Sequence, residues 1–355
     1  MNHRIRFRLY DPSDRQRFLT LLEAVYGEAH GAKTSAWRYL DHPLTSATIS
    51  LAEIDGRVVG AQPSYEIAVQ VNGRDARGAV LLDVMTHPAY RRRGVFAGVV
   101  EHLRLSCREQ GIRVLLTTPN QAAARGFETF SAWRPLGELS PLVLPVDTVG
   151  LLAGTAGWRR LLAPLSAPRR DLGGAGGGRE SLPDDIQVSE DLPDSVTTLL
   201  RRFARVAPSM IVRTPEFLRW RFRPSLGRRY RFVVDHSGGT ARGLAVTGTG
   251  TLLGRRILFL VELIAAVPDA GTVSRLLHAA RHLAREAEAA AILTYLPPHS
   301  PLLRALRSAG LWRVPRFLRP RPYVVWMASH LEGAQRERGL EFGTWHLTLA
   351  DSDLA

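Results

Sequence analysis

The sequence predicts an α+β protein of two related domains, each a mixed, mostly antiparallel sheet flanked by helices. Three observations lead to this prediction: a buried strand, a basic turn and a long amphipathic helix in succession after Leu81, a three-strand meander before them, and a partial repetition of this pattern later in the chain. The length of 355 residues also exceeds what one core usually holds.

Turn and capping signals divide the first half into elements. Asp55-Gly56 and Asn72-Gly73 are typical of tight turns between strands, because these residues accept positive φ angles. Pro12-Ser13-Asp14 and Pro119-Asn120 are typical of helix N-termini. In chain order we expect a strand at 4–12, helices from Pro12 and over 34–40, strands at 49–54, 57–62, 65–71 and 81–86, a helix from Gly94, a strand at 114–118 and a short helix from Asn120.

A basic turn, Arg91-Arg92-Arg93-Gly94, lies between the central strand and the central helix. The first amides of a helix have no partner within the helix and lie at the positive end of its dipole, so they attract anions. The glycine lets the backbone approach a ligand closely, and the arginines add positive charge. The sequence therefore predicts a phosphate-binding loop, with a plain surface turn as the alternative.

This segment resembles a known family. Arg91-Arg92-Arg93-Gly94-Val95-Phe96 is similar to the Arg/Gln-x-x-Gly-x-Gly/Ala pyrophosphate loop of the GNAT superfamily of N-acyltransferases, and Val84-Met85-Thr86-His87-Pro88 is similar to the fourth strand of that family. The resemblance implies acetyl-CoA or another acyl-CoA as co-substrate, with its pantetheine arm along the strand and its diphosphate on the loop. The coenzyme-binding residues that it implies are Val84, Met85, Thr86, Arg91, Arg92, Arg93, Gly94, Val95, Phe96, Ala97 and Asn120.

The chain departs from the family pattern at two positions. Phe96 stands where Gly or Ala is usual, which is expected to make one loop amide less accessible. Phe127 stands where the family commonly has a tyrosine that protonates the leaving thiolate, and a phenyl ring cannot donate a proton. Tyr65 and Tyr90 are the other tyrosines nearby, and their spacing favours neither.

Asp83 is the predicted general base. An acidic side chain in an otherwise apolar strand is costly to bury, and burial moves a carboxyl pKa up towards the working range. Glu262 occupies the matching place in the second half, which leaves a structural role open for both residues. His87 and the tail acids Asp351 and Asp353 are the alternative bases.

The second half repeats landmarks of the first. Trp37-Arg38 recurs as Trp220-Arg221, Leu82-Asp83-Val84 as Val261-Glu262-Leu263, and Pro119-Asn120 as Pro298-His299. The arginine loop is replaced by residues 268–272, which contain no arginine, so we expect one acyl-CoA site, in the first copy. The predicted divisions are a GNAT domain with the acyl-CoA site at 1–145, a linker with a glycine-rich centre at 146–185, a degenerate GNAT-like domain at 186–330 and a C-terminal tail at 331–355.

Composition narrows the function classes. The net charge of +14 comes from arginines scattered along the chain, which is not the massed pattern of a nucleic-acid-binding segment. Cys107 is the only cysteine, which excludes internal disulfides and a cysteine-rich metal site, and no metal is expected. No run of 18 apolar residues occurs, so we expect a cytoplasmic protein without a membrane partner. The oligomeric state is not readable from the sequence.

The resemblance as a whole implies a tandem-type acyltransferase that transfers groups other than aminoacyl groups. Its acceptor would be a small amine, such as an amino sugar, an amino acid or a natural-product intermediate. Two alternatives stay open. One is an aminoacyl-tRNA-dependent transferase of the Fem type, which needs no coenzyme A cradle; the other is a non-catalytic acyl-CoA-binding protein, which would not need a tyrosine at position 127.

Overall fold

The computed structural model describes residues 4–27, 36–40, 47–147, 181–223, 229–236, 239–266, 269–319 and 322–352. Up to residue 145 the elements are β1 (Arg6–Leu9), α1 (Arg15–Tyr26), a π-helical turn (Ala36–Leu40), β2 (Ala47–Ile54), β3 (Arg57–Val71), β4 (Arg74–Leu81), β5 (Met85–Thr86), α2 (Val95–Glu109), β6 (Val114–Thr117), α3 (Gln121–Phe127) and β7 (Trp133–Pro145). They continue with β8 (Ile186–Ser189), α4 (Thr197–Val206), β9 (Ser209–Ile211), α5 (Pro215–Arg221), β10 (Tyr230–Asp235), β11 (Gly243–Leu252), β12 (Arg255–Ala265), α6 (Ala270–Glu286), β13 (Ala291–Leu296), α7 (Leu302–Ser308), β14 (Trp312–Arg313), β15 (Tyr323–Ser329), α8 (Gly333–Gly339) and β16 (Trp345–His346).

The chain divides into two compact units. The first contains Met1–Glu138, Ala207–Val212 and Tyr323–Trp345, and the second contains Leu139–Val206, Arg213–Pro322 and His346–Ala355. These units differ from the predicted divisions, because two later segments of the chain return to the first unit. Most of the predicted linker, residues 148–180 with the glycine-rich run, lies outside the described residues.

The sheet of the first unit has the strand order β1-β2-β3-β4-β6-β15. Neighbouring strands are antiparallel except β4 and β6, which are parallel. Helix α2 packs on this sheet through Val99, Val100 and Leu103, which are fully buried. Burying each such side chain contributes about 1.5–3 kcal/mol, so this apolar face fixes where the N-terminus of α2 lies.

The sheet of the second unit has the order β8-β10-β11-β12-β13-β7. Its strands are antiparallel except β12 and β13, which are parallel, so it reproduces the pattern of the first unit strand by strand. Helix α6 takes the place of α2, with Val273, Leu276 and Ala280 buried against the sheet. In each unit the strand that follows the parallel pair in the sheet, β15 or β7, comes from the other half of the chain.

The predicted α+β class is confirmed, and both turns form as expected. Asp55 and Gly56 have φ angles of 50° and 76°, and Asn72 and Gly73 have 50° and 72°. The expected strands at 57–62 and 65–71 are one strand, β3, because β2 pairs with its first part and β4 with its second. None of the described helices is long and apolar enough to span a bilayer.

Candidate active site

The predicted central strand over 81–86 is wrong in its middle. Strands β4 and β6 pair in parallel from Gly78 and Val114 up to Leu81 and Thr117. Asp83 then has a left-handed φ of 53°, which bends the chain, and β5 pairs with β3 instead, with Thr86 opposite Gly60. The two parallel strands therefore part after Leu81, which leaves backbone groups beyond that point outside the parallel ladder.

The basic loop follows β5 directly. His87 Nδ1 accepts a hydrogen bond from the amide of Ala89, which starts a short 3₁₀ turn, and Arg91 to Gly94 are exposed. Arg92 and Gly94 both have left-handed backbones, with φ angles of 62° and 82°. Alternation of left-handed with other residues turns successive amides towards one side, as in anion-binding nests.

Gly94 occupies the N-cap position of α2, and it has no side chain that could cap the first amides of this 15-residue helix. A β-carbon placed on Gly94 would have no heavy atom within 4 Å, so space is open beside the helix N-terminus. The guanidinium of Arg93 lies 5.4 Å from the centre of the Tyr90 ring, which holds one positive charge near the loop.

Phe96 does not obstruct the loop, contrary to the expectation from its size. Its ring packs against Phe127 and Phe130, with centroids 5.8 and 6.1 Å away, and covers Gly126 so closely that a β-carbon there would lie 2.3 Å from the ring. The side chain therefore faces the core, while the neighbouring Ala97 is exposed.

Phe127 itself is a core residue. It is 1% exposed and its ring meets Trp133 edge-on at 4.9 Å. The ring is thus packed among aromatic side chains, which explains why a phenyl ring stands there. Of the two other tyrosines considered, Tyr65 is buried in β3, and the ring of Tyr90 contacts the guanidinium of Arg93.

The predicted role of Asp83 assumed an apolar environment, but its carboxylate has polar partners. Its Oδ2 atom accepts hydrogen bonds from Arg38 Nη1 at 2.9 Å and from the Tyr39 hydroxyl at 2.8 Å. Burial opposes the charge of Arg38, but Tyr39 and Asp83 outweigh it and raise the pKa of the guanidinium. Burial, and then the charge of Asp83, raise the pKa of Tyr39 well above its usual value, so this hydroxyl stays protonated.

Three further polar groups lie where the strands part or just beyond. Asn120 caps α3, its Oδ1 accepting from the amide of Ala123 at 2.9 Å, which confirms the predicted helix start. The hydroxyls of Thr86 and Thr118 are buried, and neither has a hydrogen-bond partner among the described residues. Thr118 was missed by the sequence analysis, although its place at the end of a buried strand was the available signal.

One of the two tail acids considered as a base belongs to another cluster. Asp351 belongs to the second unit, where its Oδ2 accepts from Arg213 Nη2 at 2.7 Å, and Asp353 lies outside the described residues. Arg213 also donates to Glu262 at 2.7 Å, and His346 lies 3.3 Å from the other oxygen of Glu262. Glu262 is therefore part of a buried ionic network.

Acid should weaken this network. Burial would raise the pKa of Glu262, but Arg213 and His346 outweigh it and lower it to about 2 from the usual 4.5. A lowered folded-state pKa stabilises the fold above pH 4.5, and this contribution is lost as the pH falls from 4.5 towards 2. We expect the urea concentration at the unfolding midpoint to fall as the pH is lowered across that window, and to fall less in Glu262→Gln. If the midpoint fell equally in both proteins, the lowered pKa would not belong to Glu262.

Comparison with known proteins identifies the N-terminal part of the first unit. Residues 6–130 match the family model described as Acetyltransferase (GNAT) domain. These residues belong to the GNAT superfamily. No curated protein sequence matches the chain.

Solved structures show the same fold over most of the chain. A GCN5-related N-acetyltransferase from Anabaena variabilis has 11% identity and a TM-score of 0.62, covering 91% of this chain and 72% of that one. A probable N-acyltransferase from Enterococcus faecalis has 12% identity and a TM-score of 0.59, and the match covers 91% of this chain and 72% of that one. The N-myristoyltransferase of Saccharomyces cerevisiae was solved with bound myristoyl-CoA. It has 11% identity and a TM-score of 0.57, and the match covers 91% of this chain and 82% of that one.

The GNAT domain thus brings most of the predicted coenzyme residues to one region of its sheet. Val84, Met85 and Thr86 lie where the strands part, and Arg91 to Ala97 form the exposed loop and first turn of α2. Arg38 and Tyr39 were missed, because nothing in the sequence links them to a carboxylate more than 40 residues later. The sequence signalled only that Trp37-Arg38 recurs in the second half.

Proposed function

We propose that this protein is an acyl-CoA-dependent N-acyltransferase, with acetyl-CoA or another acyl-CoA as donor and a small amine as acceptor. The acceptor classes that we consider are amino sugars, amino acids and natural-product intermediates. The observation that carries the proposal is the uncapped N-terminus of α2 beside the point where β4 and β6 part. Cytoplasmic location and a duplicated, degenerate second GNAT-like domain belong to the same proposal.

The residues at this site fit coenzyme A. A diphosphate needs unpaired amides, positive charge and a backbone that it can approach, and the loop offers Gly94 with open space and three exposed arginines. The pantetheine arm carries amides, which suit the unpartnered hydroxyls of Thr86 and Thr118. When bound, acyl-CoA supplies an activated thioester carbonyl.

The side chains of the chain have separate tasks in this proposal. Arg91 to Arg93 and the first amides of α2 hold the anion, and backbone groups of residues 84–86 orient the acyl end. Both hydrogen bonds that the described residues make to the Asp83 side chain end on Oδ2, so Oδ1 is the atom that would take a proton from the incoming ammonium. Arg38 and Tyr39 act as positioning residues, since they hold this carboxylate in one orientation.

The second unit differs at the equivalent helix. Asp269 is the N-cap of α6, and its Oδ1 accepts from the amide of Thr272 at 2.8 Å. Burial would raise the pKa of Asp269, but these hydrogen bonds outweigh it and lower the pKa, so the carboxylate is charged. A side-chain anion thus covers the amides that a phosphate would need, which supports a single acyl-CoA site.

The non-catalytic alternative has one observation in its favour, the burial of Phe127 in the core. The Fem-type alternative is not supported by the open loop, because those enzymes need no coenzyme A cradle. An assay for release of coenzyme A in the presence of a panel of amines distinguishes an enzyme from a non-catalytic acyl-CoA-binding protein.

Gly94→Asp should weaken coenzyme A binding at least tenfold, because it brings a side chain and a negative charge into the loop. Aspartate tolerates left-handed backbone better than most residues, so the fold should persist. Titration calorimetry with coenzyme A measures the affinity and should give one site per chain.

Gly254→Asp is the matched control, since Gly254 has a left-handed φ of 73° and equally open surroundings in the second unit. It should leave the affinity unchanged. Unchanged affinity in Gly94→Asp as well, or two equivalent sites per chain, would refute the assignment of the loop.

A further inference from the structure

A cavity of about 330 Å³ lies in the second unit, away from the helix N-terminus that corresponds to the GNAT loop. It is lined by strands β10, β11 and β12 and by the C-terminal end of α6. Helix α6 has 17 residues, so its two ends are about 25 Å apart. The cavity is therefore a separate feature from the amides that Asp269 caps.

The strand register explains why polar groups collect there. Arg231 of β10 pairs with Thr247 of β11, and Thr249 pairs with Leu258 of β12. Paired residues, and residues two apart along a strand, lie on one face of a sheet, so Arg231, Thr247 and Thr249 share a face. Arg229, which directly precedes β10, lines the cavity beside them. A bulge beside Thr247 shifts the register between β11 and β12 at this point.

The floor of the cavity combines apolar side chains with one unsatisfied polar group. Leu258 and Leu283 line it and are 3% and 8% exposed. Thr247 is 1% exposed, and its hydroxyl has no hydrogen-bond partner among the described residues. A buried hydroxyl without a partner costs free energy, which a bound acceptor atom would recover.

The rim is basic. Arg256 Nη1 donates to the carbonyl of Ala287 at 3.1 Å, and Arg231 pairs with Glu190 at 2.8 Å, so both guanidiniums are held at the cavity. Arg229 is exposed and has no ion pair or hydrogen bond with any described residue. Glu286 is the acidic group of the lining, and it faces His282 at 3.3 Å.

We propose that this cavity binds a small organic anion. Its carboxylate or phosphate group meets Arg229 and the Thr247 hydroxyl, with Arg231 and Arg256 adding positive charge, while an apolar body lies on Leu258 and Leu283. Guanidinium groups suit both kinds of oxyanion, because their planar donors match two acceptor oxygens at once. The apolar floor selects an anion that carries a hydrocarbon part over a bare inorganic ion.

Titration calorimetry of the full chain tests this, with benzoate and phenyl phosphate as probes and benzamide and inorganic phosphate as comparisons. One of the two organic anions should bind at least tenfold more tightly than benzamide and inorganic phosphate, and which one binds identifies the oxyanion. Arg229→Gln should weaken that binding about tenfold, the usual size of a lost charged hydrogen bond. Thr247→Val keeps the shape, removes the unsatisfied hydroxyl and should also weaken binding, without loss of stability.

Arg304→Gln, at an exposed arginine of α7 in the same unit, is the matched control and should bind like the parent protein. Equal binding of benzamide would show an apolar pocket without anion recognition and would overturn the proposal. Failure of both organic anions to bind at 10 mM, or the same loss in Arg304→Gln as in Arg229→Gln, would overturn it too.

Discussion

Replacing Arg213 with leucine should lower the free energy of unfolding by about 3–5 kcal/mol, because it strands buried carboxylates without their cation. The side chains of Arg213 and Glu262 are both fully buried, and that of Asp351 is 6% exposed. Water therefore cannot replace the lost partner. Urea denaturation monitored by fluorescence measures the change.

Arg219→Leu is the matched control for this loss. Arg219 pairs with Asp194 at 2.6 Å in the same unit, but their side chains are 45% and 95% exposed. Exposed pairs contribute about 0–1 kcal/mol, so the control should unfold near the parent midpoint. If the two variants lost the same stability, the buried network around Arg213 would stabilise the fold no more than an exposed ion pair does.

Asp83→Asn should lower kcat/KM about 100-fold with the amine that a substrate panel identifies, the usual size of a general-base contribution. Asparagine can place its carbonyl oxygen where Oδ2 accepts from Arg38 and Tyr39, so the local hydrogen bonds can persist. It loses the proton acceptor at Oδ1. Steady-state release of coenzyme A measures the effect.

Stability measurements separate a base from a structural residue. Asp83→Asn should keep the urea midpoint of the parent protein while kcat/KM falls, whereas a structural loss would lower both. Asp75→Asn, at the exposed start of β4, is the control and should keep full activity. Phe127→Tyr should change the rate little, since position 127 faces the core. Full activity in a folded Asp83→Asn protein would leave His87 as the next candidate.

Features that depend on neighbouring residues were the ones the sequence predicted well. The Asp55-Gly56 turn and the Gly94 helix start each follow from the φ preferences of one or two residues. The partner of Asp83 did not follow, because the ion pair with Arg38 joins distant parts of the chain. Similarly, the break in the central strand at Asp83 comes from β5 pairing with β3, and pairing partners leave no periodic signal.

The helix start at Asp269 carries a local sequence signal. Aspartate three residues before Thr272 is a typical N-cap arrangement, and it fills the position that Gly94 leaves open in the first unit. The loss of arginines alone predicted one donor site. The capping carboxylate gives a physical reason for the same prediction.

The origin of β15 has a consequence for how the protein is made. Strand β6 is synthesised early, but its antiparallel neighbour β15 follows roughly 200 residues later. At about 5–20 residues per second, the edge of β6 waits about 10–40 s on the ribosome for its partner. An open edge can pair with a foreign strand during that time, and a gene cut after Pro145 would leave it open permanently. The sheet of the first unit can be completed only after Ser329, the last residue of β15, has been translated.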